Sequence, residues 1–365
     1  MHVIKGMVAY MKITADNKLL EYSGRIDFDE SKSPEFVYPC SYVKMRFTGT
    51  SIKALVTNKN EYWDNYVGVI LDGIQSKILL NNDASQLQTL VLGENLENKE
   101  HEVLFFKRMD SCHMFQFHGF EVDEDAVILP LPEKPHRRIE VYGDSVSAGE
   151  VSEAIEYVGK PDPEWQKGEF SNSWYSYAWI TARKLNAQIH DIAQGGIALL
   201  DNTGWFCEPN YLGIESTYDK IQYNPYFNIL KKWDFKKYRP HVIIIAIGQN
   251  DSHPFDYMAQ DYQCAEAKHW REQYQKFVAN LRTIYPKAEI ILATTILQHD
   301  ANWDRSIEEV CVNLNDSRIH HFSYTQNGKG TPGHIRIPEA EQMAEELSAY
   351  IESLGEGIWQ DEYLL

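Results

Sequence analysis

A serine hydroxyl becomes a nucleophile only when a base takes its proton, and acyl transfer also needs N–H donors for the oxygen that turns negative. Four short stretches of this 365-residue sequence supply those residue types in one order. Gly143-Asp144-Ser145-Val146-Ser147 follows the apolar segment 139–142, which sets Ser145 at the carboxyl end of an expected strand, where open α/β sheets hold their ligands. Gln194-Gly195-Gly196 follows the apolar segment 189–193, and paired glycines there let the backbone approach a ligand closely. Gly248-Gln249-Asn250-Asp251 follows the apolar run 242–247, so the Asn250 amide can reach a developing oxyanion. His334 stands four residues before Pro338, which opens the last expected helix. Taken singly, each stretch is also compatible with an ordinary turn or a surface-loop histidine. The order of all four, three of them at successive strand ends, carries the signal.

The elements that must position these residues change style near residues 128–137, where three prolines in six residues mark an extended linker. Before it, apolar runs of four to eight residues alternate with turn residues such as Thr48-Gly49-Thr50 and Asp72-Gly73, the rhythm of an all-β sandwich or barrel. After it, expected strands at 139–142, 242–247 and 289–293 alternate with expected helices at 174–185, 266–284 and from Pro338 to Leu354, closed by Gly355. Near-continuous apolar strands in such alternation predict a parallel sheet covered on both faces. The expected domains are 1–130 and 136–365.

Composition excludes more than it identifies. The 53 acidic against 35 basic side chains give a formal charge of −18, which argues against a nucleic-acid or anionic-membrane surface. The aromatic share is high at 13%, with 22 Tyr and 9 Trp, and suits either a large β-core or the stacking of sugar rings. Trp205, Tyr211 and Tyr223 are the candidates for a pyranose platform, whereas Trp174 and Trp179 share an expected helix with apolar neighbours and read as core. Five dispersed cysteines without a C-x-x-C pair, and a start at residues 1–6 without an apolar leader, set the expectation of a cytoplasmic, reduced protein. Neither H-E-x-x-H nor any clustered ligand set is present, so no metal and no cofactor are expected. Gly328-Lys329-Gly330-Thr331 lacks the spacing of a phosphate loop. Self-association into a homo-oligomer is left open.

The four blocks resemble the SGNH (GDSL) hydrolase superfamily, and Trp233-Asp234-Phe235, Pro240 and Gly248-Gln249-Asn250-Asp251 resemble carbohydrate esterase family 2. Ser23-Gly24-Arg25-Ile26-Asp27-Phe28, Leu71-Asp72-Gly73, Lys107-Arg108 and Phe117-His118-Gly119-Phe120 are similar to that family's N-terminal domain. The resemblance implies a flavodoxin-like three-layer α/β/α SGNH domain preceded by a jelly-roll-like β-sandwich. It implies Ser145 as nucleophile, His334 as base and then acid, and an oxyanion hole from the N–H groups of Ser145 and Gly195 and the Asn250 side chain. Gly196 is the alternative to Gly195, and Asp144 and Asp251 are expected to brace their turns. The implied activity is serine-esterase removal of O-acetyl groups from plant cell-wall carbohydrates, with an acetylated oligosaccharide as partner.

One position departs from the superfamily. The aspartate that usually stands three residues before the histidine, and holds its tautomer, is replaced here by Thr331. The expectation is a Ser–His dyad oriented by a backbone carbonyl, with Asp300 or Asp304 as remote carboxylates and Glu339 and Glu341 as weaker ones. Competing readings are another SGNH esterase or lipase, and a carbohydrate-binding protein that has lost catalysis.

Overall fold

The computed structural model describes residues 10–60 and 62–361. The segment 1–6, read above for a leader, lies outside the described residues. Residues 10–129 build two six-stranded antiparallel sheets. Alternation makes their common core: Tyr42–Gly49 turns Val43, Met45 and Phe47 inward, and His113–Asp123 of the other sheet answers with Phe115, Phe117 and Phe120.

Beyond residue 136 the chain enters a five-stranded parallel sheet. Its order is Ala187–Ala193, Arg137–Gly143, Val242–Ala246, Glu289–Ala293 and Ile319–His321. Every residue of Val242–Ala246 and Glu289–Ala293 is buried, so helices must cover both faces. Ile243 and Ile245 pack on Trp270, Phe277 and Trp303 from the helices Ala265–Ile284 and Ala301–Leu314. Val242 and Ile244 pack on the other side, with Ala178 and Met343 from Tyr177–Lys184 and Ile337–Ser353. The first strand lies between the second and third, so the chain reverses direction over the carboxyl ends of Arg137–Gly143 and Val242–Ala246. That switch point is where such sheets open a crevice.

The expected helix 174–185 starts later than its apolar pattern suggests. Ser173–Tyr175 is a single 3₁₀ turn, and the helix restarts at Tyr177 because the Ser176 hydroxyl caps the Trp179 N–H at 3.2 Å. The two halves of the chain are joined through buried polar groups as well as apolar packing. Arg25, fully buried, donates to the carbonyls of Tyr218 and Lys220 at 2.8 and 3.1 Å and lies 3.5 Å from Glu140.

Candidate active site

The strand Arg137–Gly143 ends in a turn that only glycine permits, since a Cβ on Gly143 would lie 2.0 Å from Ser147 Oγ. Ser145 then opens the one-turn helix Ser145–Ala148, whose cap is Asp144: one carboxylate oxygen accepts from the Val146 N–H at 3.0 Å. Ser145 lines a cavity of about 550 Å³ together with Gly195, Gly196, Asn250 and His334. The four blocks of the sequence, up to 189 residues apart (334 − 145), therefore share one crevice.

Two aspartates tie the blocks to one another. Asp144 also accepts from Gln249 Nε2 at 2.7 Å and Asn250 Nδ2 at 3.1 Å, which locks the third block onto the first. Asp251 accepts from the Leu199 and Leu200 N–H groups at 2.9 and 3.2 Å, which locks the third block onto the second. Burial pushes Asp144 up to about 6 and Asp251 up to about 7, against the pull of those donors. The Asn250 amide nitrogen has a second acceptor in the Ile197 carbonyl at 3.0 Å. Both of its N–H bonds are thus engaged in the resting site.

His334 is oriented by a carboxylate that the sequence reading did not weigh. Asp162 accepts from His334 Nδ1 at 2.5 Å and from the His334 backbone N–H at 2.9 Å. Arg336, fully buried, steadies the same carboxylate at 2.7 Å. The expected orientation of His334 by a backbone carbonyl is therefore corrected: the Asp162 carboxylate holds its Nδ1. Asp300 is occupied as the cap of Ala301–Leu314, donor Asn302 N–H at 2.8 Å, and Asp304 holds His299 at 3.0 Å and Thr294 at 2.5 Å. Glu339 accepts from the Arg336 N–H at 2.9 Å. Thr331 is buried and its hydroxyl accepts from the Gly333 N–H at 3.3 Å. Although burial raises carboxylates, the bonds from His334 and Arg336 hold Asp162 well below the usual range. In return, burial of His334 is outweighed by Asp162 and the nearby carboxylates, and its imidazole is raised above 6.5.

Around Gly195 the structure departs from the expected oxyanion hole. The Gly195 N–H points at Asp110, 3.0 Å away, so it is committed to a carboxylate. The Gly196 N–H has no acceptor among the described residues, and its φ of +71° with the close Trp205–Phe206 backbone fits glycine. Glu150 also lies against Gly195, buried, with one carboxyl oxygen 3.5 Å from His334 Nε2. Burial first, then repulsion by Asp110, Asp144 and Asp162, raises the Glu150 carboxyl to about 8 against the pull of His334.

Of the aromatic candidates, Trp205 lines the cavity and is 57% exposed, with one face of its ring stacked on His253 at 3.4 Å between centroids. Tyr223 is corrected to a core residue: it is 5% exposed and bonds the Ser111 hydroxyl across the two halves of the chain. Tyr211 packs beside His253, and Trp179 is buried as expected, with Trp174 half-buried against it. Tyr62, Trp63 and Tyr226 complete the wall and were not anticipated; the first two come from the β-sandwich. Among the described residues, His136, His241 and Asp361 are the one metal-like group. His241 Nδ1 accepts the Arg138 N–H at 3.2 Å, which places the neutral ring's proton on Nε2, and the Arg138 guanidinium takes Asp361, so the donor set does not fit a cation.

The chain is similar to known proteins in both of its halves. Residues 22–132 match the family model described as "Carbohydrate esterase 2 N-terminal". The cellulase/esterase CelE of Acetivibrio thermocellus is 29% identical over 350 residues, 93% of this chain, and the chain spans only 40% of that relative's length. An acetylxylan esterase / glucomannan deacetylase of Cellvibrio japonicus is 25% identical over 346 residues, 94% of this chain and 90% of the relative. A family two carbohydrate esterase from Clostridium thermocellum, solved in complex with cellohexaose, superposes with a TM-score of 0.76 at 27% identity, covering 93% of this chain and all of that one. Through both the antiparallel and the parallel sheets, this chain is a structural and sequence relative of the family two carbohydrate esterases.

Proposed function

We propose that this protein is a serine esterase that removes O-acetyl groups from plant cell-wall carbohydrate, with acetylated xylo-oligosaccharides or related oligosaccharides as substrates in xylan breakdown. The observation that carries the reading is the shared cavity of Ser145 and His334, with the Nδ1–H of His334 held by Asp162. Ser145 Oγ attacks the acetyl carbonyl while His334 Nε2 takes its proton, and Asp162 stabilises the imidazolium that forms. The N–H groups of Ser145 and Gly196 are the uncommitted backbone donors for the oxyanion, and Asn250 contributes once it exchanges an internal acceptor for it. The tetrahedral intermediate collapses, His334 returns the proton to the sugar oxygen, and water releases acetate from the acyl-enzyme by the same two steps reversed.

Trp205, 57% exposed beside the crevice, supports a carbohydrate leaving group, since the side of its ring that His253 does not cover suits a pyranose. The absence of disulfides at Cys40, Cys207, Cys264 and Cys311 supports a reducing, cytoplasmic setting. The proposed domains are 1–130 and 136–365. Acetate release from acetylated xylo-oligosaccharides by the wild type and by Ser145→Ala tests the activity. The variant should lose roughly 10⁴–10⁶-fold, the scale of removing a nucleophile; undiminished release would end the reading.

A further inference from the structure

Glu150 directly follows the catalytic turn, and its N–H donates to the Ser145 carbonyl at 3.0 Å, so its place is fixed by the same fold that presents the nucleophile. Its side chain is buried, yet it lines the cavity beside Ser145, Gly195, Asn250 and His334. One carboxyl oxygen is 3.5 Å from His334 Nε2, the nitrogen that must serve the serine. The other is 2.0 Å from where a Cβ of Gly195 would lie, so the group sits against that residue's Cα. Apart from the approach of His334 Nε2, no hydrogen bond from the described residues reaches the carboxyl, and the cavity is its open side.

Two of the oxyanion donors that the resemblance implied are spoken for. Gly195 N–H serves Asp110, and both N–H bonds of Asn250 serve Asp144 and the Ile197 carbonyl. We propose that Glu150 is a catalytic residue that acts as an uncharged carboxylic acid, donating its O–H to the carbonyl oxygen of the bound ester and keeping its proton throughout. This proposal rests on the esterase reading above. The groups that face Glu150 favour the uncharged form. Asp110 and Tyr62 approach from the β-sandwich, Asp144 from the catalytic turn and Asp162 from the long loop, while His334 is the one cation-forming group among them. Arg336, next along, is neutralised on Asp162. Burial and three carboxylates raise the Glu150 carboxyl into the range where a neutral acid persists at pH 7.

The step is a hydrogen bond that strengthens as the carbonyl oxygen becomes negative, the setting in which preorganised donors contribute most. Once Glu150 ionises it becomes an acceptor beside the oxyanion and pairs with His334, and both changes oppose reaction.

The test compares wild type, Glu150→Gln and Glu150→Ala across pH 6–10 on 4-nitrophenyl acetate and on an acetylated xylo-oligosaccharide, with competent sites counted by phosphonate titration of Ser145. The wild-type kcat should fall about tenfold per pH unit above the Glu150 titration. Glu150→Gln, which keeps an N–H donor and cannot ionise, should show no such fall. Glu150→Ala should lose about 10²-fold on both esters below the Glu150 titration, the scale of one oxyanion donor, and should show no alkaline fall of its own, so that its gap to the wild type closes as pH rises. A retained alkaline fall in Glu150→Gln, or a loss by Glu150→Ala confined to the sugar ester, would overturn the proposal and leave the esterase reading standing. A wild type inert on both esters would remove that reading and the role of Glu150 with it.

Discussion

Asp110 and Glu150 approach Gly195 from opposite halves of the chain, and similar burial leaves them in opposite states. Asp110 comes from the β-sandwich and accepts five hydrogen bonds: Tyr62 OH and Gln194 Nε2 at 2.6 Å, His113 Nδ1 at 2.7 Å, Gly195 N–H at 3.0 Å and Cys112 N–H at 3.2 Å. Burial alone would raise it, but the His113 contact and the other donors hold it far below the usual carboxylate range. Glu150 accepts none of these bonds from the described residues, has only His334 Nε2 at 3.5 Å, and is raised. Burial does not decide the charge of a carboxyl; the supply of donors does. The saturated acid holds the backbone in place, and the unsatisfied one is left to meet the substrate.

The largest test of this contrast extends it to the third carboxylate, Asp162, which is saturated like Asp110 but works through His334. Asp162→Asn should lower kcat/KM by about 10²–10⁴-fold by loosening the tautomer. The imidazole, no longer raised by Asp162, should move the acid limb of the pH–rate profile to lower pH. Asp110→Asn comes next. It turns an amide N–H toward buried donors, and it should cost about 3 kcal/mol in chemical denaturation and about 10²-fold in kcat, with KM little changed, as the Gly195–Gly196 peptide shifts. Gly195→Ala drives a methyl between the two acids, 2.0 Å from Glu150 and 2.8 Å from Asp110, and should destabilise by about 1–3 kcal/mol. Tyr62→Phe removes one of five donors to Asp110, and a loss of about 0.5–1.5 kcal/mol is expected.

The smallest signal is in pH. Glu150 has a folded-state pKa raised from 4.5 to about 8, so the folded chain takes up a proton that the unfolded chain has released between those values. Stability therefore declines as pH rises through that window, and Glu150→Gln should lack this part of the decline in thermal melts at pH 5 and pH 8.

The four blocks were legible because each is local: an apolar strand, then a residue with chemistry at its carboxyl end, or a histidine ahead of a helix with Pro in its first turn. Both sheet types were legible for the same reason, since strand alternation and continuous apolar runs are written in short windows. Asp162 was not legible, because it meets His334 across 172 residues and its signature is only a Pro-flanked aspartate in a long connection. Asp110 and Glu150 flank motifs that were noticed, Lys107-Arg108 and the Gly-Asp-Ser turn, yet their roles depend on which donors the fold brings. Tyr223 failed as a sugar platform because a tyrosine between two halves of a chain can bury its ring and still satisfy its hydroxyl, here on Ser111. Gly195 and Gly196 differ by one peptide orientation, which no composition encodes.

The loop that carries Asp162 is clamped by the β-sandwich. Arg108 pairs with Glu153 at 2.7 Å and donates to the Ser171 carbonyl at 3.0 Å, and the Asp64 N–H donates to the Lys167 carbonyl at 3.1 Å. Recombination that traded the sandwich for an unrelated module would carry away this clamp together with Asp110, Tyr62 and Trp63, and leave the nucleophile without a held acid or a complete wall. The two halves therefore depend on each other through the seam that carries this clamp, and neither would keep the cavity intact alone.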